Sequence, residues 1–235
     1  MAEEAQPTGQ AVRIPAGGVT LDGDLVVPPG ARGAVLFAHG SGSSRHSPRN
    51  RFVARVLQGA GLATLLMDLL TPEEEAVDLR TAQLRFDVGL LADRLVAATD
   101  WLLSASPLPL REGGGRGSLP IGYFGASTGA GAALVAAAKR PEVVGAVVSR
   151  GGRPDLAGAA LPRVRAPTLL IVGGADAPVI AMNEEARARM RAPVELRIVP
   201  GATHLFEEPG ALEAVASLAR DWLTRHLVGV GPRSA

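Results

Sequence analysis

The chain contains no cysteine. That excludes a disulfide framework, a zinc–thiolate site and a thiol nucleophile, and it suits a reducing cytoplasm. Lysine is almost missing too. Lys139 is the only one, so arginine supplies nearly all the positive charge, and the formal net charge is +1. No basic tail or stripe is present, which argues against nucleic acid or an anionic membrane as partner. The longest apolar stretch, Gly129 to Val148, is broken by Lys139-Arg140-Pro141-Glu142 and cannot span a bilayer. Residues 1–10 carry Glu3 and Glu4 but no apolar core, so they do not read as a secretory signal. A soluble, cytoplasmic protein is the expectation. His39 and His46 show no metal-ligand spacing with any carboxylate cluster, so neither a metal nor another cofactor is expected.

What the chain does have is apolar content, 47% of 235 residues, enough to bury a full core in one domain. The expected organisation is a disordered segment 1–10, one domain over 11–228 and a tail over 229–235. Val12–Ile14 and Leu21–Val27 read as an edge hairpin turned at Gly17-Gly18. Four continuous apolar runs follow, Ala34–Ala38, Leu62–Met67, Ile121–Phe124 and Val143–Ser149, as in strands covered on both faces. Thr168–Val172 and Val194–Val199 complete the set.

Helical patterns separate these runs. Ser47-Pro48 supplies an N-cap and a first-turn proline. The series Leu84, Val88, Leu91, Leu95, Ala98, Leu102 lays one apolar stripe on a long helix. Helices are also expected over Ala130–Lys139, Pro178–Met190 and Gly210–Leu227. The acidic stretch Thr71–Asp78 reads as a solvated loop, and Ser104–Gly117 as a surface loop. Strand–helix alternation with short connections implies an α/β fold, a mostly parallel central sheet with helices on both faces.

The stretch Ile121-Gly-Tyr-Phe-Gly-Ala-Ser127-Thr-Gly129 is the centre of this arrangement. Strand, G-x-S-x-G and helix make the nucleophile-elbow pattern, in which a strained turn pushes the serine hydroxyl clear of the sheet. In open α/β sheets, sites form on loops beyond the carboxyl ends of strands. Such loops here carry Ser127, Asp176, His204 and the run His39-Gly40-Ser41.

The order Ser…Asp…His resembles that of the α/β-hydrolase superfamily, and the chain is similar to its dienelactone-hydrolase-like branch over residues 12–227. It also looks like the hydrolase module that some proteins fuse to a phosphoribosyltransferase-type domain. The resemblance implies Ser127 as nucleophile, His204 as base and Asp176 as the orienting acid, with Asp155 in reserve. The amide of Thr128 and that of Ser41, or less favourably Gly42, would form the oxyanion hole. Arg45, Arg150 and Arg153, on loops bordering the pocket, are candidate substrate contacts, since guanidinium pairs with carboxylate or phosphate. Between Ser149 and Thr168 there is room only for a short excursion, so no large cap domain is expected.

The reading is therefore a serine hydrolase cleaving small carboxylic esters through an acyl-enzyme, with a small-molecule ester as its partner. Dienelactone hydrolases use cysteine, so serine at position 127 shifts weight toward general esterase chemistry. A thioesterase or acyltransferase would use the same residues. A binding module that kept the fold but lost turnover is a second class, weighed against by the filled triad positions. A dinucleotide-dependent oxidoreductase lacks its fingerprint, because Gly129-Ala-Gly131 is followed by Leu134 where the third glycine or alanine belongs. The sequence sets no oligomeric state.

Overall fold

The computed structural model describes residues 9–104 and 119–229. The expectations for the disordered N-terminus, the loop over 105–117 and the C-terminal tail fall almost wholly outside those residues. The described part of the N-terminal segment differs, because β1 (Gln10–Ala16) already starts at Gln10 and forms the expected hairpin with β2 (Val19–Val26). The sheet continues with β3 (Ala34–Ala38), β4 (Ala63–Met67), β5 (Ile121–Ala126), β6 (Val144–Arg150), β7 (Thr168–Gly173) and β8 (Val194–Val199). Its spatial order is β1-β2-β4-β3-β5-β6-β7-β8. From β4 to β8 all neighbours are parallel, and only the β1–β2–β4 edge is antiparallel.

Successive residues of the inner strands point to opposite faces, and both faces are covered. Leu36 and Tyr123 join one core with Leu91, Leu95 and Leu134. Those last three come from α3 (Val88–Ser104) and α4 (Thr128–Lys139). Val35, Phe37 and Phe124 face the other side, against Val53 and Leu57 of α1 (Pro48–Gly59) and Val215 and Trp222 of α6 (Ala211–Leu227). The Phe37 and Phe124 rings lie 5.0 Å apart between neighbouring strands. The chain thus has the α/β-hydrolase architecture. Between β6 and β7 it makes only a short 3₁₀ excursion, Pro154–Arg163, with no large cap.

Two local expectations change. The acidic stretch forms α2 (Pro72–Thr81) instead of a loop. Thr71 Oγ1 accepts from the Glu74 amide while the Glu74 carboxylate accepts from the Thr71 amide, closing a capping box behind Pro72. Glu73, Glu74 and Glu75 fall in the first turn, where negative charge suits the helix dipole. Leu84, in turn, does not lie on α3. It belongs to a 3₁₀ turn, Leu84–Phe86, because the Asp87 carboxylate takes the Leu90 amide and starts the helix afresh. No helix among the described residues is long and apolar enough to cross a membrane.

Candidate active site

Ser127 joins β5 to α4 at φ +50° and ψ −121°, a conformation that L-residues rarely hold. Packing forces it. A Cβ on Gly125 would lie 2.4 Å from Ala130 Cα, and one on Gly129 would lie 2.2 Å from the Ala38 carbonyl oxygen. Only glycine at both places lets strand, helix and the loop after β3 approach so closely. The Ser127 amide donates to the Arg150 carbonyl at 3.2 Å, and the Ser127 carbonyl accepts from Arg153 at 3.1 Å. The side chain does not cap α4, which leaves the hydroxyl for other work.

Asp176 precedes α5 (Ala177–Arg189) and stands at its N-cap position, yet its side chain makes no capping bond. Its Oδ2 instead meets His204 Nδ1 at 2.8 Å. The imidazole is 40% exposed and the carboxylate 15%, so the pair sits at the surface end of the sheet with the acid on the inner side. The ring also borders the β6 end, since a Cβ on Gly151 would be 3.5 Å from His204 Cε1. Ser127 therefore meets Arg150 and His204 meets the next residue, Gly151. Among the described residues no hydrogen bond joins Ser127 Oγ to the imidazole, and such contacts commonly tighten only when substrate binds. Asp155, the reserve acid, is instead bound in bidentate fashion by Arg153 at 2.8 and 2.7 Å.

The loop after β3 is fixed from behind. Half-buried His39 accepts the Leu69 amide on Nε2 at 3.1 Å and faces the Gly40 carbonyl with Nδ1 at 2.9 Å. Nδ1 must then carry the proton, and burial lowers the pKa of the ring. The Ser41 amide donates to Thr128 Oγ1 at 2.9 Å. Gly42 takes φ +69° with open space around it. Gly40, Ser41, Leu69, Leu79 and Thr128 help to wall a cavity of about 40 Å³. Neither Ser127 nor His204 lines it, so it opens beside Ser127, against the loop after β3. Asp78 and Arg85 from the α2 region close its far wall, which places the acidic segment at the pocket.

The three arginines differ sharply. Arg45 is held by the Asp68 carboxylate, with Asp24 at 3.7 Å, and Arg153 by Asp155. Arg150 is buried at 7% exposure, and among the described residues no carboxylate lies within ion-pair distance of it. Its guanidinium lies 5.8 Å from the centre of the Phe206 ring. Burial, with the like charge of Arg49, pushes its pKa down to about 10. Sequence offered nothing to separate these three. Among the described residues no three His, Asp or Glu side chains gather as a metal site.

A family model described as "Dienelactone hydrolase family" matches residues 26–227. A crystal structure of dienelactone hydrolase from Anabaena variabilis is 64% identical, with a TM-score of 0.87 over 94% of this chain and 99% of that one. A protein of Mycobacterium tuberculosis (strain H37Rv), provisionally named a phosphoribosyl transferase, is 59% identical over 223 residues. That match takes in 95% of this chain but 48% of the relative, so the chain spans about half the length of the curated relatives it matches. Est1E from Butyrivibrio proteoclasticus shares the fold at 15% identity, with a TM-score of 0.74 over 93% of this chain and 99% of its own.

Proposed function

The chain belongs to the dienelactone hydrolase family, and from that premise we propose that it is a serine hydrolase of small carboxylic esters working through an acyl-enzyme. The observation that carries this reading is the 2.8 Å contact between Asp176 and His204 beside the strained Ser127. Asp176 holds the proton on Nδ1 of His204 and leaves Nε2 basic. As Ser127 Oγ attacks the ester carbonyl, Nε2 takes its proton and then passes it to the departing alcohol. Water, deprotonated by the same nitrogen, then attacks the acyl carbon, and the bond to Ser127 Oγ breaks as Nε2 returns the proton to that oxygen and the acid departs. The negative oxygen of each tetrahedral intermediate sits by the N-terminus of α4, where the Thr128 amide is the first donor.

Serine at position 127 supports a general esterase over a lactone-specific enzyme, and a thioester would meet the same groups. The phosphoribosyl transferase name belongs to a relative about twice as long. That Arg45 and Arg153 already hold carboxylates while Arg150, among the described residues, holds none supports Arg150 as the contact for an acidic group on a substrate. Hydrolysis of p-nitrophenyl esters of graded acyl length tests the proposal, with Ser127→Ala beside the wild type. The variant is expected to lose about 10⁴–10⁶ in kcat, and a fluorophosphonate should label Ser127. Unlabelled wild-type protein without esterase activity would instead point to a binding module.

A further inference from the structure

Thr128 is one residue past the nucleophile, and its side chain is not used as a helical threonine's usually is. In a helix interior the hydroxyl donates back to the carbonyl three or four residues earlier. Here those carbonyls belong to Gly125 and Phe124, which lie in β5 between the paired strands β3 and β6. Oγ1 instead accepts a hydrogen bond from the Ser41 amide at 2.9 Å, across 87 residues of sequence. Among the described residues this is its one hydrogen bond. The side chain is 2% exposed and lines the cavity beside Gly40 and Ser41. A buried hydroxyl that accepts from one side keeps one proton to donate, and Thr128 is among the residues that line the cavity.

The same contact has a consequence for the Ser41 amide. That N–H is already occupied by Thr128 Oγ1, so it does not point freely at a substrate oxygen. We infer that the Thr128 hydroxyl is itself an oxyanion donor, polarised from behind by the Ser41 amide, and that Ser41 acts through it. Thr128 then meets the developing charge twice, through its amide and through its hydroxyl. A chain N–H to O–H to O⁻ strengthens along its length, because each donor made by an accepting group is more acidic. No proton changes owner in this step. The hydroxyl lends a hydrogen bond as the carbonyl oxygen becomes negative and relaxes it when the carbonyl re-forms.

The inference rests on the proposed hydrolase reading, and its test separates the two. Thr128→Val keeps the shape and removes the hydroxyl, Thr128→Ala removes it with less volume, and Thr128→Ser keeps it. Rates on p-nitrophenyl acetate are counted per site that a fluorophosphonate can still label, so misfolded protein does not enter. Both Thr128→Val and Thr128→Ala should lose about 10²-fold in kcat with KM changed less than about threefold, while Thr128→Ser stays within about fivefold of wild type. A trifluoromethyl ketone, bound as its oxyanion adduct, should weaken in parallel with kcat across the series. A Thr128→Val enzyme as fast as wild type, or faster, would overturn the inference. It would show that the hydroxyl merely blocks the Ser41 amide, and the hydrolase reading would stand. A wild-type protein that neither labels at Ser127 nor turns over esters would overturn both.

Discussion

Replacing Arg150 with methionine asks whether a charge is held inside this protein at a net cost. The residue is 7% exposed, and burial with the nearby Arg49 charge pushes its pKa well below the ordinary guanidinium value, down to about 10. A difference of that size corresponds to a penalty on the order of 3 kcal/mol for keeping the group charged in the fold. The sign follows from the direction. In the unfolded chain the guanidinium is fully hydrated, so the penalty opposes folding at all pH values below the folded pKa. It fades only as pH rises through about 10. The stacking on Phe206 at 5.8 Å offsets part of it, by about 1–2 kcal/mol for a desolvated cation–π contact. Methionine keeps the unbranched stem and drops the charge. Urea unfolding at neutral pH should therefore show Arg150→Met more stable by about 1–2 kcal/mol, with a higher midpoint and an unchanged slope. The same variant should lose turnover of acidic esters more than of neutral ones. If it is instead less stable by more than about 1 kcal/mol, the guanidinium has partners that compensate its burial, and the reasoning fails.

Gly129→Ala would drive a methyl to 2.2 Å from the Ala38 carbonyl oxygen and 2.4 Å from that of His39. Both are backbone atoms that cannot rotate away, so a loss of at least about 3 kcal/mol in urea is expected. Gly59→Ala, with nothing within 4 Å, should stay within about 0.5 kcal/mol, and equal effects at the two sites would refute the close approach. Acid should destabilise the protein through His39, whose pKa is lowered by burial. Below about pH 6.5 the unfolded chain takes up a proton that the folded ring resists, so this group's stabilisation is present above that pH and lost beneath it. Tm should fall more steeply on acidification in wild type than in His39→Gln, and parallel curves would remove His39 from the account.

Much of the architecture was legible because it is local. The apolar run Ala34–Ala38 matches β3 to the residue, the alternating Val194–Val199 between Pro193 and Pro200 matches β8, and Ser47-Pro48 marked the start of α1. The elbow was readable for the same reason, since its glycine spacing reports contacts within a few residues. The α2 helix was also written in the chain, as Thr71-Pro72-Glu73-Glu74. It is overlooked when apolar periodicity alone is sought, because Asp78 is the residue it buries.

By itself, then, the sequence determined the strand–helix alternation, the strained serine turn and the order of the loops that carry Ser127, Asp176 and His204. Each of these follows from backbone preferences and short-range spacing. Only the tertiary structure decided how polar groups are paired. It spends the Asp176 carboxylate on His204 and leaves α5 uncapped by it, occupies Arg45 and Arg153, and, among the described residues, leaves Arg150 without a carboxylate. It also sets β3 beside β5 and so brings the Ser41 amide to Thr128. Apart from Arg153 with Asp155, such pairings join residues tens of positions apart, and no local preference encodes which partner a charge or a hydroxyl will meet once the sheet has assembled.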